Sequence, residues 1–154
     1  MKYQFLKKPF FIFILVNICL VIFWLDIKHL VGNDSSISEW LINYQGGFTR
    51  RGLGGEIAMI FANLLDISLR RSIFFIQTII HTTYLALIYF YLINLKLNIL
   101  QKFALYAPIF LLYPIAEVEV LARKEVFMYI YFLGLIFLCD PKSNNEKYIN
   151  FYIF

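Results

Sequence analysis

The chain has 154 residues, of which 61% are hydrophobic and only 16% are charged, whereas soluble domains carry about 45–50% apolar and about 25% charged residues. This excess excludes a small soluble domain and predicts an all-α protein that crosses a membrane several times. The net charge of +4 could indicate nucleic-acid binding. However, the cations mostly flank apolar runs, where they serve as interfacial anchors, so we expect membrane lipid and no nucleic acid as the partner.

Four apolar segments predict four spans within a single transmembrane domain that covers residues 1–154. The predicted spans are residues 9–25, 73–95, 103–116 and 119–139, since an α-helix needs about 20 residues to cross and shorter apolar runs can be extended by their flanks. A further apolar run at 148–154 resembles the start of a fifth span. We therefore interpret the chain as a fragment of a longer protein, and the alternative is a tail at the membrane interface.

The first and second spans are separated by a long loop, residues 26–72. Within it, Ile57, Ile60, Phe61, Leu64 and Leu65 recur at helical spacing. This pattern predicts an amphipathic helix that lies at the membrane interface, because nine residues are too few to cross. Serines at 36 and 38 predict the start of another short helix before it.

Lysines before the first span favour a cytoplasmic N-terminus in the inner membrane. The loop 26–72 and the segment 117–125 would then share the outer side. The cations divide evenly, with seven on each predicted side, so this topology rests mainly on the first span. All seven predicted inner cations are lysines, whereas five of the seven outer ones are arginines, which suit bidentate binding of phosphate or carboxylate.

The most informative segment is 46–56, Gly-Gly-Phe-Thr-Arg-Arg-Gly-Leu-Gly-Gly-Glu, which we call the glycine-rich segment. Glycines allow close approach of backbone N–H groups, arginines bind phosphate oxygens, and a helix that begins here would direct its positive end to the same place. The candidate phosphate-binding residues here are Gly46, Gly47, Arg50, Arg51 and Gly52. The alternative is a tight turn whose arginines lie at lipid headgroups.

The second charged segment is 117–125, in which Glu119 and Arg123 are spaced to pair on one helix face. Charged residues so close to a span are functional candidates, and Arg123 and Lys124 add to the predicted phosphate site. The alternative is an ion-paired helix end at the interface. We predict that both charged segments meet in one site, with Glu119 or Glu125 neutralising Arg50 or Arg51.

Carboxylates beside a phosphate site could act as a general base or bind a divalent cation. The candidate catalytic residues are Asp26, Glu39 and Glu119. Cys19 and Cys139 lack metal-ligand spacing and are interpreted as small buried apolar residues. No metal site and no cofactor are therefore expected, with a divalent cation as the open alternative.

The glycine-rich segment, preceded by Trp40, Asn43 and Tyr44 and followed later by Glu119 and Arg123-Lys124-Glu125, resembles the start of bacterial multi-span proteins of surface-polysaccharide biosynthesis. Their layout is similar to that of GT-C glycosyltransferases and O-antigen polymerases. The resemblance covers about a third of the chain. It implies a polyprenyl-phosphate-linked sugar as the substrate and an acidic catalytic residue in the first outer loop, where Asp26 and Glu39 lie.

Together these features predict a multi-span inner-membrane protein that acts on a lipid-linked or anionic glycan at the outer face, with glycosyl transfer as the implied reaction. The paired acidic motif typical of GT-C enzymes is not evident, so enzymatic activity stays open. The alternative is a non-enzymatic transporter or flippase component, or a small scaffold.

Overall fold

The computed structural model describes residues 7–31, 35–48, 52–93, 95, 99–107, 111, 117, 121 and 123–139. Within these ranges the helices are α1 (Lys7–Leu30), α2 (Ser35–Leu41), α3 (Leu53–Leu65), α4 (Leu69–Ile93), α5 (Ile99–Leu105) and α6 (Val126–Cys139). No strand occurs in the described part of the chain, which confirms the prediction of an all-α protein.

Helices α1 and α4 pack against each other in antiparallel directions. At one end the Phe10 ring stacks on Tyr89, with 5.8 Å between the ring centroids. At the other end Arg70 Nη2 donates a hydrogen bond to the backbone oxygen of Val31 at 2.5 Å. We call the end that carries Val31, Arg70 and α2 the loop end, and the end that carries Phe10 and Tyr89 the opposite end.

One face of α1 is buried along its whole length. Its buried residues follow helical spacing at Phe10, Ile14, Asn17, Val21, Leu25 and Lys28. Because this face continues past Leu25, the helix extends to Leu30, five residues beyond the predicted end of the first span. Asn17 is fully buried, and its Nδ2 donates to the backbone oxygen of Phe13 at 2.8 Å, so this polar group bonds within its own helix.

Two described helices are long and apolar enough to cross a membrane, over Lys8–Leu30 and Leu69–Ile93. Large apolar side chains on both are exposed, among them Phe11, Ile12, Phe23, Ile79 and Phe90. Soluble monomers rarely expose so much contiguous apolar surface. Cys19 and Cys139 are also exposed, so the prediction that they are buried is wrong.

The predicted four-span bundle is only partly matched by the described helices. In the predicted third span the described helix is α5, which has seven residues and ends at Leu105. In the predicted fourth span the described α6 has 14 residues and begins at Val126. Most of residues 108–120, and all of residues 140–154 with the predicted fifth span, lie outside the described ranges.

Helix α3 has 13 residues, too few to cross a bilayer, and it begins four residues before the predicted amphipathic stretch. Its buried face consists of the small residues Gly55, Ala58 and Ala62, which allow close packing against the start of α4. The buried hydroxyl of Ser72 donates to the Ala58 oxygen at 2.6 Å. The apolar stripe that includes Ile57, Ile60 and Leu64 therefore faces away from the bundle.

Helix α6 runs in the same direction as α4. Tyr129 lies 5.9 Å from Tyr84 and Phe137 lies 5.8 Å from Tyr91, measured between ring centroids. Before α6, Tyr106 packs on Phe13 near the opposite end, at 4.7 Å between centroids. Tyr106 and the start of α6 therefore lie at different ends of the bundle.

Candidate functional site

Lys124 brings the second charged segment onto the glycine-rich segment at the loop end. Its Nζ donates a hydrogen bond to the backbone oxygen of Glu39 at 2.9 Å. The same atom lies 5.5 Å from the centroid of the Trp40 ring, within range of a cation–π interaction. A Cβ placed on Gly54 would lie 3.3 Å from Lys124 Cε and 3.4 Å from its Nζ. The predicted meeting of the two segments is thus present at Lys124.

The buried Trp40 side chain packs against Lys124 and supports this contact. The Trp40 side chain is only 1% exposed and packs with Ala58 of α3, Ile73 of α4 and Val126 of α6. A tryptophan buried among three helices loses several kcal/mol when truncated, about 3–5. Trp40 therefore fixes the positions of α2, α3 and α6 relative to one another, and with them the position of Lys124.

The backbone approaches most closely where α3 begins. A Cβ on Gly55 would collide with the backbone oxygen of Ile42 and would lie 2.9 Å from the oxygen of Trp40. Gly52 is the N-cap of α3 and has no side chain to cap the first N–H groups of the helix. Such N-terminal N–H groups carry partial positive charge. A lysine ammonium and a helix N-terminus therefore lie side by side at Gly54.

A turn over residues 43–48 connects α2 to the glycine-rich segment. Gly47 N donates to the Tyr44 oxygen at 3.0 Å, and Gly47 has φ +117°, a conformation that favours glycine. Tyr44 N donates to Glu56 Oε2 at 3.4 Å, which ties the turn to the first turn of α3. Glu56 is thereby assigned a positional role that the sequence did not predict.

The predicted site residues lie in different parts of the structure. Gly46, Gly47, Gly52 and Lys124 lie at the loop end, as does Glu39, whose backbone holds Lys124. Asp26 is exposed on α1 and Arg123 is exposed before α6, and neither takes part in the contacts that join the two segments. Arg50, Arg51 and Glu119 lie outside the described residues, as does their predicted ion pairing; Glu125 is exposed.

A partly buried polar cluster on α1 and α4 was not predicted. His29 Nε2 and Gln77 Oε1 are 2.8 Å apart, and the backbone oxygen of Gln77 lies 2.9 Å from His81 Nδ1. Gln77 is fully buried. The signal was present in the sequence, because Gln77 and His81 are spaced one helical turn apart in an otherwise apolar helix. Polar residues inside spans often mark substrate or ion pathways.

In the described part of the chain no group of three or more His, Cys, Asp and Glu side chains could hold a metal ion. A divalent cation therefore has no assigned ligands in those ranges. Searches of protein-family models, curated proteins and solved structures find no match to this chain.

Proposed function

We propose that this chain is part of a multi-pass inner-membrane protein that binds a lipid-linked or anionic glycan at the loop end. In this proposal the N-terminus is cytoplasmic and the loop end faces outward. The observation that carries the proposal is the contact of Lys124 with Gly54, which places a cation from one charged segment on the glycine-rich start of α3. Lipid-linked sugars carry phosphate at the membrane surface, at the depth where such a cation would meet it.

Phosphate recognition would combine three kinds of donor. The ammonium of Lys124 supplies a charge-assisted hydrogen bond, and the N-terminus of α3 supplies backbone N–H groups and the positive end of the helix dipole. Arg50 and Arg51 directly precede Gly52 in the sequence and would add planar forks for phosphate oxygens.

Glycosyl transfer would need a carboxylate that accepts a proton from the acceptor hydroxyl. Among Asp26, Glu39 and Glu119, we favour Glu39, because its own backbone oxygen binds Lys124 and so lies beside the proposed phosphate position. Asp26, exposed on α1, and Glu119 are the alternatives. The implied donor is a polyprenyl-phosphate-linked sugar.

The second candidate function is non-enzymatic, as a transporter or flippase component. The partly buried polar cluster of His29, Gln77 and His81 favours it, because polar groups inside a helical pair can line a translocation path. Both candidates use the same lipid-phosphate site, and they differ in whether a sugar is transferred or carried across the membrane.

Binding of a polyprenyl phosphate to the full chain in nanodiscs tests the shared part of the proposal. Lys124→Met should weaken binding by about tenfold or more, since a charge-assisted hydrogen bond contributes about 1.5–3 kcal/mol. Lys124→Arg should retain most of the affinity. Arg71→Gln is the matched control, because Arg71 is an exposed cation at the start of α4 and is absent from the contacts that join the two segments.

The Arg71→Gln control separates a specific phosphate site from general attraction between cations and headgroups. If Arg71→Gln reduces affinity as much as Lys124→Met, binding reflects general attraction of headgroups, and the proposed site is wrong. The melting temperature of each variant in detergent shows whether Lys124→Met acts through unfolding. If Lys124→Arg keeps the stability and yet loses binding as completely as Lys124→Met, recognition by the cation is also contradicted.

A further inference from the structure

An aromatic pair is displayed on the turn that precedes the glycine-rich start of α3. The rings of Tyr44 and Phe48 are almost parallel, with 3° between their planes and 5.7 Å between their centroids. Phe48 is 92% exposed, although apolar surface is available throughout the bundle. Leaving a phenylalanine exposed forgoes about 1.5–3 kcal/mol of burial free energy.

Hydrogen bonds of the backbone define the turn that carries the two rings. Asn43 Oδ1 accepts a hydrogen bond from Gln45 N at 3.1 Å, and Gly47 N bonds to the oxygen of Tyr44 at 3.0 Å. The positive φ of Gly47 then directs the chain so that Phe48 returns alongside Tyr44. These bonds place the backbone of Tyr44 and Phe48 so that the two rings lie side by side as an aromatic platform.

This platform shares the first turn of α3 with the proposed phosphate site. The Glu56 carboxylate accepts a hydrogen bond from the backbone N–H of Tyr44. Gly54, two residues before Glu56, lies against Lys124. Residues two apart on a helix point to different sides. The platform and Lys124 are therefore attached to one helical turn on different sides of it.

The chemistry of the turn favours a sugar over lipid as the occupant. Its tip is polar, because Gln45, Gly46 and Gly47 are all exposed and none carries an apolar side chain. A loop that inserts into lipid would place apolar residues at its tip. A pyranose ring has a face of C–H groups and a rim of hydroxyls, which match an aromatic face flanked by amides. Gln45 is an exposed amide next to Tyr44.

We propose that Tyr44 and Phe48 form a sugar subsite that stacks on a pyranose ring of the glycan, while the phosphate group binds at Lys124 and the start of α3. This inference rests on the proposed function and adds to it a sugar subsite, which is separate from the phosphate position at Lys124 and binds a pyranose ring of the same glycan. The residue that determines binding of the ring is Phe48, with Tyr44 as its support.

A panel of soluble pyranose trisaccharides tests this subsite, with saturation-transfer NMR on the full chain in nanodiscs. We expect binding by the unsubstituted chain and by Phe48→Tyr. Phe48→Leu, which stays apolar and loses the ring, should weaken binding about fivefold, since an aromatic contact contributes about 0.5–1.5 kcal/mol beyond burial. Phe103→Leu is the matched control, because Phe103 is a 73% exposed aromatic residue on α5 and should leave binding unchanged.

The inference is overturned if no trisaccharide binds, or if Phe48→Leu binds within twofold of the unsubstituted chain. It is equally overturned if Phe48→Trp is quenched by acyl-brominated lipids, because the ring then lies in the bilayer. Binding of polyprenyl phosphate by the same variants separates the two proposals. If phosphate binding persists while the Phe48 dependence is absent, only the sugar subsite fails.

Discussion

Glycines around the proposed site serve different purposes, which are shown by the atoms that an added Cβ would meet and by the φ angle of each glycine. Gly55 touches the backbone of Ile42 and Trp40, and Gly54 lies against Lys124. Gly47 has the positive φ that the turn requires. By contrast, a Cβ on Gly46 would have nothing within 4 Å, and its φ is not positive. Among Gly46, Gly47, Gly54 and Gly55, Gly46 is therefore the glycine that the fold does not require.

This contrast predicts opposite outcomes for two alanine substitutions. Gly55→Ala should destabilise the protein by about 3 kcal/mol or more, because neither carbonyl can move without shifting α2 against α3. Gly46→Ala should change stability by less than about 0.5 kcal/mol. Unfolding in detergent with increasing dodecyl sulfate measures both. Equal stability of the two variants would contradict the close packing of α3 against residues 40–42.

Gly46→Ala also tests the use of the backbone in binding. If it keeps stability and weakens binding of the polyprenyl phosphate, a ligand must approach Gly46 closely. The sequence predicted a ligand role for Gly46, Gly47 and Gly52 alike. The sequence could not tell glycines that bind a ligand from glycines that the fold requires. The residues that make Gly54 and Gly55 necessary are distant in sequence and become neighbours only after α2 folds back on α3.

At the scale of elements, a partly buried polar contact between side chains joins α1 and α4 near the loop end. His29 Nε2 and Gln77 Oε1 are 2.8 Å apart across the helix interface. Hydrogen bonds between membrane helices contribute about 0.6 kcal/mol on average and at most about 1.7. Loss of one partner also leaves the other group buried.

A double-mutant cycle measures this contact. Gln77→Leu and His29→Phe should each destabilise the pair, and the double variant should be less destabilised than the sum of the two. We expect a coupling energy of about 0.6–1.7 kcal/mol. Thr83→Ala, at an exposed position of α4, is the control and should show no coupling with His29→Phe. Additive effects of Gln77→Leu and His29→Phe would contradict a hydrogen bond between the two helices.

The elements were predicted unevenly, for identifiable reasons. The long apolar runs predicted α1 and α4 because helical spans carry a strong compositional signal. The prediction ended the first span at Leu25, since Asp26 and Lys28 suggested solvent. In the structure Lys28 is buried on the same face as Leu25. Because this face is buried, the helix continues past the charged residues Asp26 and Lys28. For α3, the apolar stripe indicated a helix, but the small residues on its other face make its packing contacts.

At the scale of the whole molecule, the proposed phosphate and sugar sites both lie at one end of the bundle. Contacts that α2, α3 and α6 make with one another and with α4 converge there on Trp40, Ala58 and Val126. The sequence predicted that the two charged segments share a side, because the lysines and the number of spans place them there. It did not predict that Lys124 makes the contact and that Arg123 is exposed, since that choice depends on how α6 is rotated against α4.

The proposed site needs residues 54 and 124 to be neighbours in the membrane. A chain with Cys19 and Cys139 replaced by serine and with cysteines at Gly54 and Lys124 tests this most directly. A short bifunctional methanethiosulfonate reagent should join residues 54 and 124 rapidly, because a Cβ on Gly54 would lie 3.3 Å from Lys124 Cε, which is three bonds beyond the Cβ of residue 124. The control pair, cysteines at Gly54 and Leu100, should stay unlinked, because α5 precedes Tyr106 near the opposite end. Failure of 54 and 124 to cross-link, or equal cross-linking of the control pair, would contradict the single site on which both proposals rest.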